Sequence, residues 1–225
     1  MSGGQGGIGQ GALGDIAKQA GSLFGQASGA VRGGNPLAIG GLAALAGALL
    51  GGGGSAARGA VGGGVLAVLG SLAYSVLKQR SGGAEPAENL PIGVCEATTP
   101  EAEKAADEVA ELVVRAMINA AKADGEIDPE EEKNILGKLA EEGSEEEARA
   151  FVATEMHKPI DIAGLAQSVG GRADVAIQVY AASLLAIKVD TPAEEVYLRN
   201  LASALNLDAK TLAQVHDALG VNPGA

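Results

Sequence analysis

The chain has 225 residues, 28 acidic and 16 basic side chains, and a formal net charge of −12. Aromatic residues make up 2% and Trp is absent, so it lacks both the Lys/Arg surplus and the stacking surfaces of a nucleic-acid binder. A single cysteine, Cys95, excludes a disulfide scaffold and a multi-cysteine zinc site.

The averages conceal a division. Residues 1–90 hold 26 of the 35 glycines, with 3 acids and 5 bases, a net of +2. Residues 91–225 therefore hold 25 acids and 11 bases, a net of −14. Residues 1–34 form a Gly-rich polar segment, in which Ile16, Leu23 and Phe24 fit one side of a short helix; no secretory signal is read in it. Two uncharged runs follow, Pro36–Ala57 (22 residues) and Gly59–Leu77 (19 residues), separated by Arg58 and closed by Lys78 and Arg80. A helix crosses a bilayer with roughly 20 apolar residues. Neither run shows the polar face of a surface helix. Residues 35–80 are accordingly expected to form a Gly/Ala-rich helical hairpin associated with membrane lipid. Gly40, Gly47, Gly51, Gly62 and Gly70 would make a close-packed seam through which copies of the chain associate. Arg32, Lys78 and Arg80 flank the hairpin and favour both ends on the cytoplasmic side.

Residues 81–100, interrupted by Gly82, Gly83, Pro86, Pro91 and Pro100, read as a linker. Beyond it, residues 101–225 are expected to fold alone as an acidic, all-helical domain. Val109, Leu112, Val113, Ala116, Met117 and Ala120 make one apolar helical stripe ending at Asp124–Gly125. Asp128-Pro129-Glu130-Glu131, Ser144-Glu145-Glu146-Glu147 and Thr191-Pro192-Ala193-Glu194 are capping signals that open further helices. Ile160, Ile162, Leu165 and Val169 predict a short helix. Ala173–Val189 is the most apolar stretch and the expected central helix. Val196, Leu198, Leu201 and Leu205 predict an inward face on the next, and Asp208 caps the last, with Leu212, Val215 and Leu219 inward. Ala121–Asp124 echoes Ile187–Asp190, which suggests two similar helical units. No alternating strand pattern stands out.

The stretch Ala116–Leu136, AMINAAKADGEIDPEEEKNIL, resembles the hallmark of tellurite-resistance protein B (TerB)-like domains. Tyr180–Leu207, YAASLLAIKVDTPAEEVYLRNLASALNL, resembles the matching second half. With the Gly-rich apolar region before them, the chain resembles the DUF533 family. The resemblance implies an all-α, TerB-like bundle of about seven helices and a place at the bacterial inner membrane; the basic flanks of the hairpin add the expectation that the acidic domain faces the cytoplasm. It implies no reaction.

The acidic turn Asp124, Glu126, Asp128, Glu130, Glu131 and Glu132 is the most site-like cluster. Asp124, Glu126 and Asp128 have the spacing of the first three ligands of an EF-hand loop and suit a weakly held Ca²⁺ or Mg²⁺. Pro129 and Ile135 stand where that loop needs Gly and Glu. Glu126, Glu130 and Glu132 suit a basic protein partner. The plainer reading is that these acids cap a helix and favour its positive end. His157 and His216 have no second His at ligand spacing and read as ordinary structural or surface residues. Cys95 reads as an ordinary thiol. No Ser–His–Asp set, Walker loop or dinucleotide fingerprint occurs. The expectation is a non-enzymatic, membrane-anchored interaction or scaffold protein that self-associates through its hairpin and needs no cofactor. The alternative is a divalent-metal-responsive sensor or buffer linked to metal or tellurite stress, working through the acidic turn Asp124–Glu132.

Overall fold

The computed structural model describes residues 64–82, 90–95, 97–125, 127, 129, 132, 133, 135–137, 146–187 and 189–221. Seven helices are complete among them: α1 (Gly64–Arg80), α2 (Pro100–Ala121), α3 (Glu146–His157), α4 (Ile162–Val169), α5 (Ala173–Ala186), α6 (Pro192–Ala204) and α7 (Ala209–Leu219). The described residues of 129–137 are mostly helical as well. No strand occurs among the described residues; a lone bridge joins Ile92 to Cys95. The fold is an all-α bundle.

Local chemistry sets the helix ends. The Thr99 hydroxyl accepts from the Ala102 amide at the start of α2, so Pro100 opens that helix rather than interrupting it. The Thr191 hydroxyl accepts from the Glu194 amide while the Glu194 carboxylate reaches back to the Thr191 amide, completing a capping box. Asp161 and Asp208 cap α4 and α7 through the Gly164 and Thr211 amides. The capping signals at Asp128 and Ser144 lie outside the described residues.

α5 is the centre. Every residue from Val175 to Leu184 is buried, and the helix packs against both α2 and α1. α2 supplies the whole expected stripe: Val109, Leu112, Val113, Ala116, Met117 and Ala120 are all buried. On α6 the inward face is Tyr197, Leu198, Leu201 and Ala202, followed by Leu205. Val196, expected inward, is 48% exposed. Ile160 is also exposed and precedes α4.

The largest departure concerns α1. The second apolar run, expected as a hairpin arm in lipid, contains a 17-residue helix that packs on α5 and α7. Leu66, Leu69, Leu72, Ala73 and Val76 enter the same core as α2 and α5. Arg80 bridges to Asp208 at 3.2 Å, and the Gln214 amide donates to Gln79 at 3.0 Å, fastening the helix to α7. The core therefore does not begin at Glu101. Residues 92–94, expected within the linker, lie against α1. Among the described residues no helix is long and apolar enough to cross a membrane. The remaining hairpin, including its first arm and turn, lies outside the described residues, as do residues 1–34.

Candidate functional site

The glycine seam is the first candidate. Gly40, Gly47, Gly51 and Gly62 lie outside the described residues. Gly70 does not face an open seam: a β-carbon there would stand 2.5 Å from the Ile92 carbonyl oxygen and 3.1 Å from the Val94 amide nitrogen. Gly93, at φ +97°, is fitted in the same way: a β-carbon there would collide with the Leu66 carbonyl. Gly70 serves close backbone approach as the sequence suggests, but the neighbour is this chain's own 92–94 segment.

The acidic turn begins beyond α2. Asp124 is exposed. Glu132 is partly covered and sits 3.6 Å from His157 Nε2, while His157 Nδ1 lies 2.8 Å from the Ala153 carbonyl oxygen. Glu126, Asp128, Glu130 and Glu131 lie outside the described residues. Among the described residues, no three His, Cys, Asp or Glu side chains stand where they could hold a metal ion.

What the sequence does not signal is a buried cation at the head of this turn. Lys122 is 6% exposed, and its ammonium donates to the carbonyls of Glu155 (3.1 Å), Met156 (3.5 Å) and Lys158 (2.6 Å). A positive charge is thus held at the negative end of α3, satisfying carbonyls that have no partner within the helix. Beside it Arg115 forms an ion pair with Glu111 at 2.9 Å, approaches Glu155 at 3.5 Å and lies over the Phe151 ring. Lys158 also pairs with Glu155. The network joins the end of α2 to the end of α3, so the turn leaves from a fixed base.

A second feature lies between α5, α6 and α7. An open groove of about 580 Å³ has Leu198, Ala202, Leu207 and Leu212 along its floor and Glu195 and Arg199 at its rim. Tyr180 and His216 meet there, Oη to Nε2 at 2.8 Å. Burial pushes the Tyr180 hydroxyl up to about 12 and lowers the His216 pKa, so both side chains are held neutral. The pair is 36 residues apart in sequence, and no local pattern announces it. Tyr180 is made harder to ionise by its burial. Deeper in, the Ala116 carbonyl accepts from both Ser183 and Tyr197 at 3.3 Å. Gln178 is wholly buried, with neither its amide nitrogen nor its oxygen hydrogen-bonded.

A family model described as "Protein of unknown function (DUF533)" matches residues 32–219. The chain belongs to the DUF533 family. No curated protein and no solved structure matches it significantly. The DUF533 match begins before the first apolar run and ends in the last turn of α7, so apolar run and bundle fall within one family unit.

Proposed function

We propose that this DUF533 protein is a non-enzymatic interaction module, an acidic helical domain carried at a membrane by the Gly-rich apolar run that leads into α1. The observation that supports this reading is the anchorage of α1. Leu69 and Ala73 are wholly buried, and Val76 nearly so, against the bundle; the second uncharged run therefore supplies a helix of the core. Anything holding Pro36–Ala57 would hold the acidic domain close by, because only residues 58–63 separate that run from α1. The domain then presents charge to a partner: residues 91–225 carry −14 in all. Such a surface attracts basic proteins and speeds their encounter.

Fractionation of native cells tests this. The protein is expected in the membrane pellet after a carbonate wash, and a variant with Leu42, Leu45, Leu49 and Leu50 changed to Ser is expected in the supernatant. Recovery of the unaltered protein in the supernatant would reject membrane carriage.

A further inference from the structure

We propose that the outward face of α1, from Val68 to Lys78, is the surface on which the acidic domain lies against a bilayer carrying anionic headgroups; this rests on the membrane reading above. Three independent observations converge on it.

The first is charge. α1 contains Lys78 and Arg80 and no acid, which makes it the one net-positive helix of the seven. Each of the others is neutral or negative. An anionic bilayer attracts nearby Lys and Arg side chains by about 1 kcal/mol each and repels carboxylates. A domain of net −14 is pushed away from such a surface on nearly every side. The edge bearing Lys78 is the orientation that relieves the repulsion.

The second is geometry. Val68, Ser71, Tyr74, Ser75 and Lys78 fall within roughly 120° of the helix, opposite the buried Leu66, Leu69 and Ala73. Val68 is 59% exposed, the most exposed of the exposed large apolar side chains among the described residues. Ten residues along, the Lys78 ammonium lies 5.5 Å from the centre of the partly exposed Tyr74 ring. An apolar tip at one end with an aromatic ring and a cation at the other matches the depth profile of a membrane interface, where Tyr rings and Lys stems sit at the headgroups.

The third is continuity. The first apolar run ends at Ala57 and α1 begins at Gly64. The six residues between them reach at most about 25 Å from Ala57 to Gly64. Where the run engages lipid, α1 is the element of the bundle joined to it by the shortest segment.

The test uses the full chain with Cys95→Ser and one new cysteine, either Ser71→Cys on the face or Lys104→Cys on α2, labelled with an environment-sensitive dye. It is mixed with vesicles of phosphatidylglycerol and phosphatidylcholine, or of phosphatidylcholine alone. The label at 71 is expected to shift to the blue and to be quenched by lipid-borne quenchers, more strongly on the anionic vesicles. The label at 104 should stay aqueous. Lys78→Gln should weaken binding to the anionic vesicles several-fold while leaving thermal stability unchanged. Chain that floats with the vesicles while the label at 71 stays aqueous would overturn the assignment of this face and leave the membrane reading standing. Chain that floats with neither vesicle would overturn both. A label at 71 that is aqueous on vesicles but shielded on native membranes would give the face to a protein and also overturn the assignment.

Discussion

Gly70 and Ile92 meet backbone to backbone: the space a β-carbon would need on α1 is taken by the Ile92 carbonyl oxygen, 2.5 Å away. The helix and the segment that follows it are therefore fitted to each other through an absent side chain. Gly70→Ala should force one of them to shift and destabilise the domain by about 1–3 kcal/mol, the usual range for overpacking. Chemical denaturation reads this directly. Gly70→Leu should prevent this packing altogether, so a loss of self-association in that variant would not by itself reveal a glycine seam. Stability unchanged in Gly70→Ala would mean that residues 92–94 do not pack on α1.

The role of α1 in the core makes a second expectation. Leu69 is wholly buried against the bundle. Leu69→Ala should lower the unfolding free energy by about 2–5 kcal/mol through lost burial and the cavity left behind. A fragment starting at Glu101 lacks the helix that covers α5 and α7 and should unfold at markedly lower denaturant than one starting at Gly59. Equal midpoints for the two fragments would show that α1 is dispensable.

These two residues also show where the sequence is legible. The stripe on α2 and the capping box at Thr191 and Glu194 depend on neighbours three or four positions away, and both are read correctly from spacing alone. α1 is different. A helix with no charge before its last turn is suited to lipid or to a bundle, and its own residues do not distinguish the two. The choice is made by α5 and α7, a hundred residues later. Val196 is misread for a simpler reason: three and four positions on from it stand Arg199 and Asn200, so it lies off the stripe of Leu198, Leu201 and Leu205 and faces outward. Lys122 and the Tyr180–His216 contact are long-range events with no local signature. A lysine beside an acidic turn reads as a surface charge until α3 brings its carbonyls to it.

Lys122 supplies the third expectation. Its ammonium meets three carbonyls at the end of α3. Lys122→Met keeps much of the apolar stem and removes the donor. It should destabilise the domain by about 2–3 kcal/mol, because hydrogen bonds to charged groups are worth that much and the carbonyls stay covered. Hydrogen exchange in the last turn of α3 should rise more than in α6. A uniform rise across both helices would indicate general loosening and not a lost cap.

Gln178 points the other way. Its amide is fully buried with both polar atoms unpaired, a condition that costs about 1–3 kcal/mol per group left dry. Gln178→Met, close in length and free of that penalty, should stabilise the bundle by about 1–2 kcal/mol. Thermal unfolding gives the sign at once. A destabilised Gln178→Met would mean that the amide has a hydrogen-bond partner in solution.

Acid should weaken the domain in two stages. Burial lowers the His216 pKa below its ordinary 6.5, so the folded state resists the proton that the unfolded chain accepts. Stability is full above that value and falls as pH drops through it, because the unfolded state then binds more protons. Glu194 acts later. Burial of its carboxyl alone raises the pKa, but hydrogen bonds from the Thr191 hydroxyl and from the Asp190 and Thr191 amides outweigh this and hold it below the ordinary 4.5. Its contribution is present above 4.5 and is lost as pH falls through the lowered value. Unfolding free energy measured against pH should therefore decline once below about pH 6.5 and again below about pH 4.5. His216→Gln keeps an acceptor for Tyr180 and cannot titrate, so it should remove the first decline and keep the second. Glu194→Gln should remove only the second. A first decline that survives in His216→Gln would assign it to another group and leave the Tyr180–His216 pair without a part in the acid response.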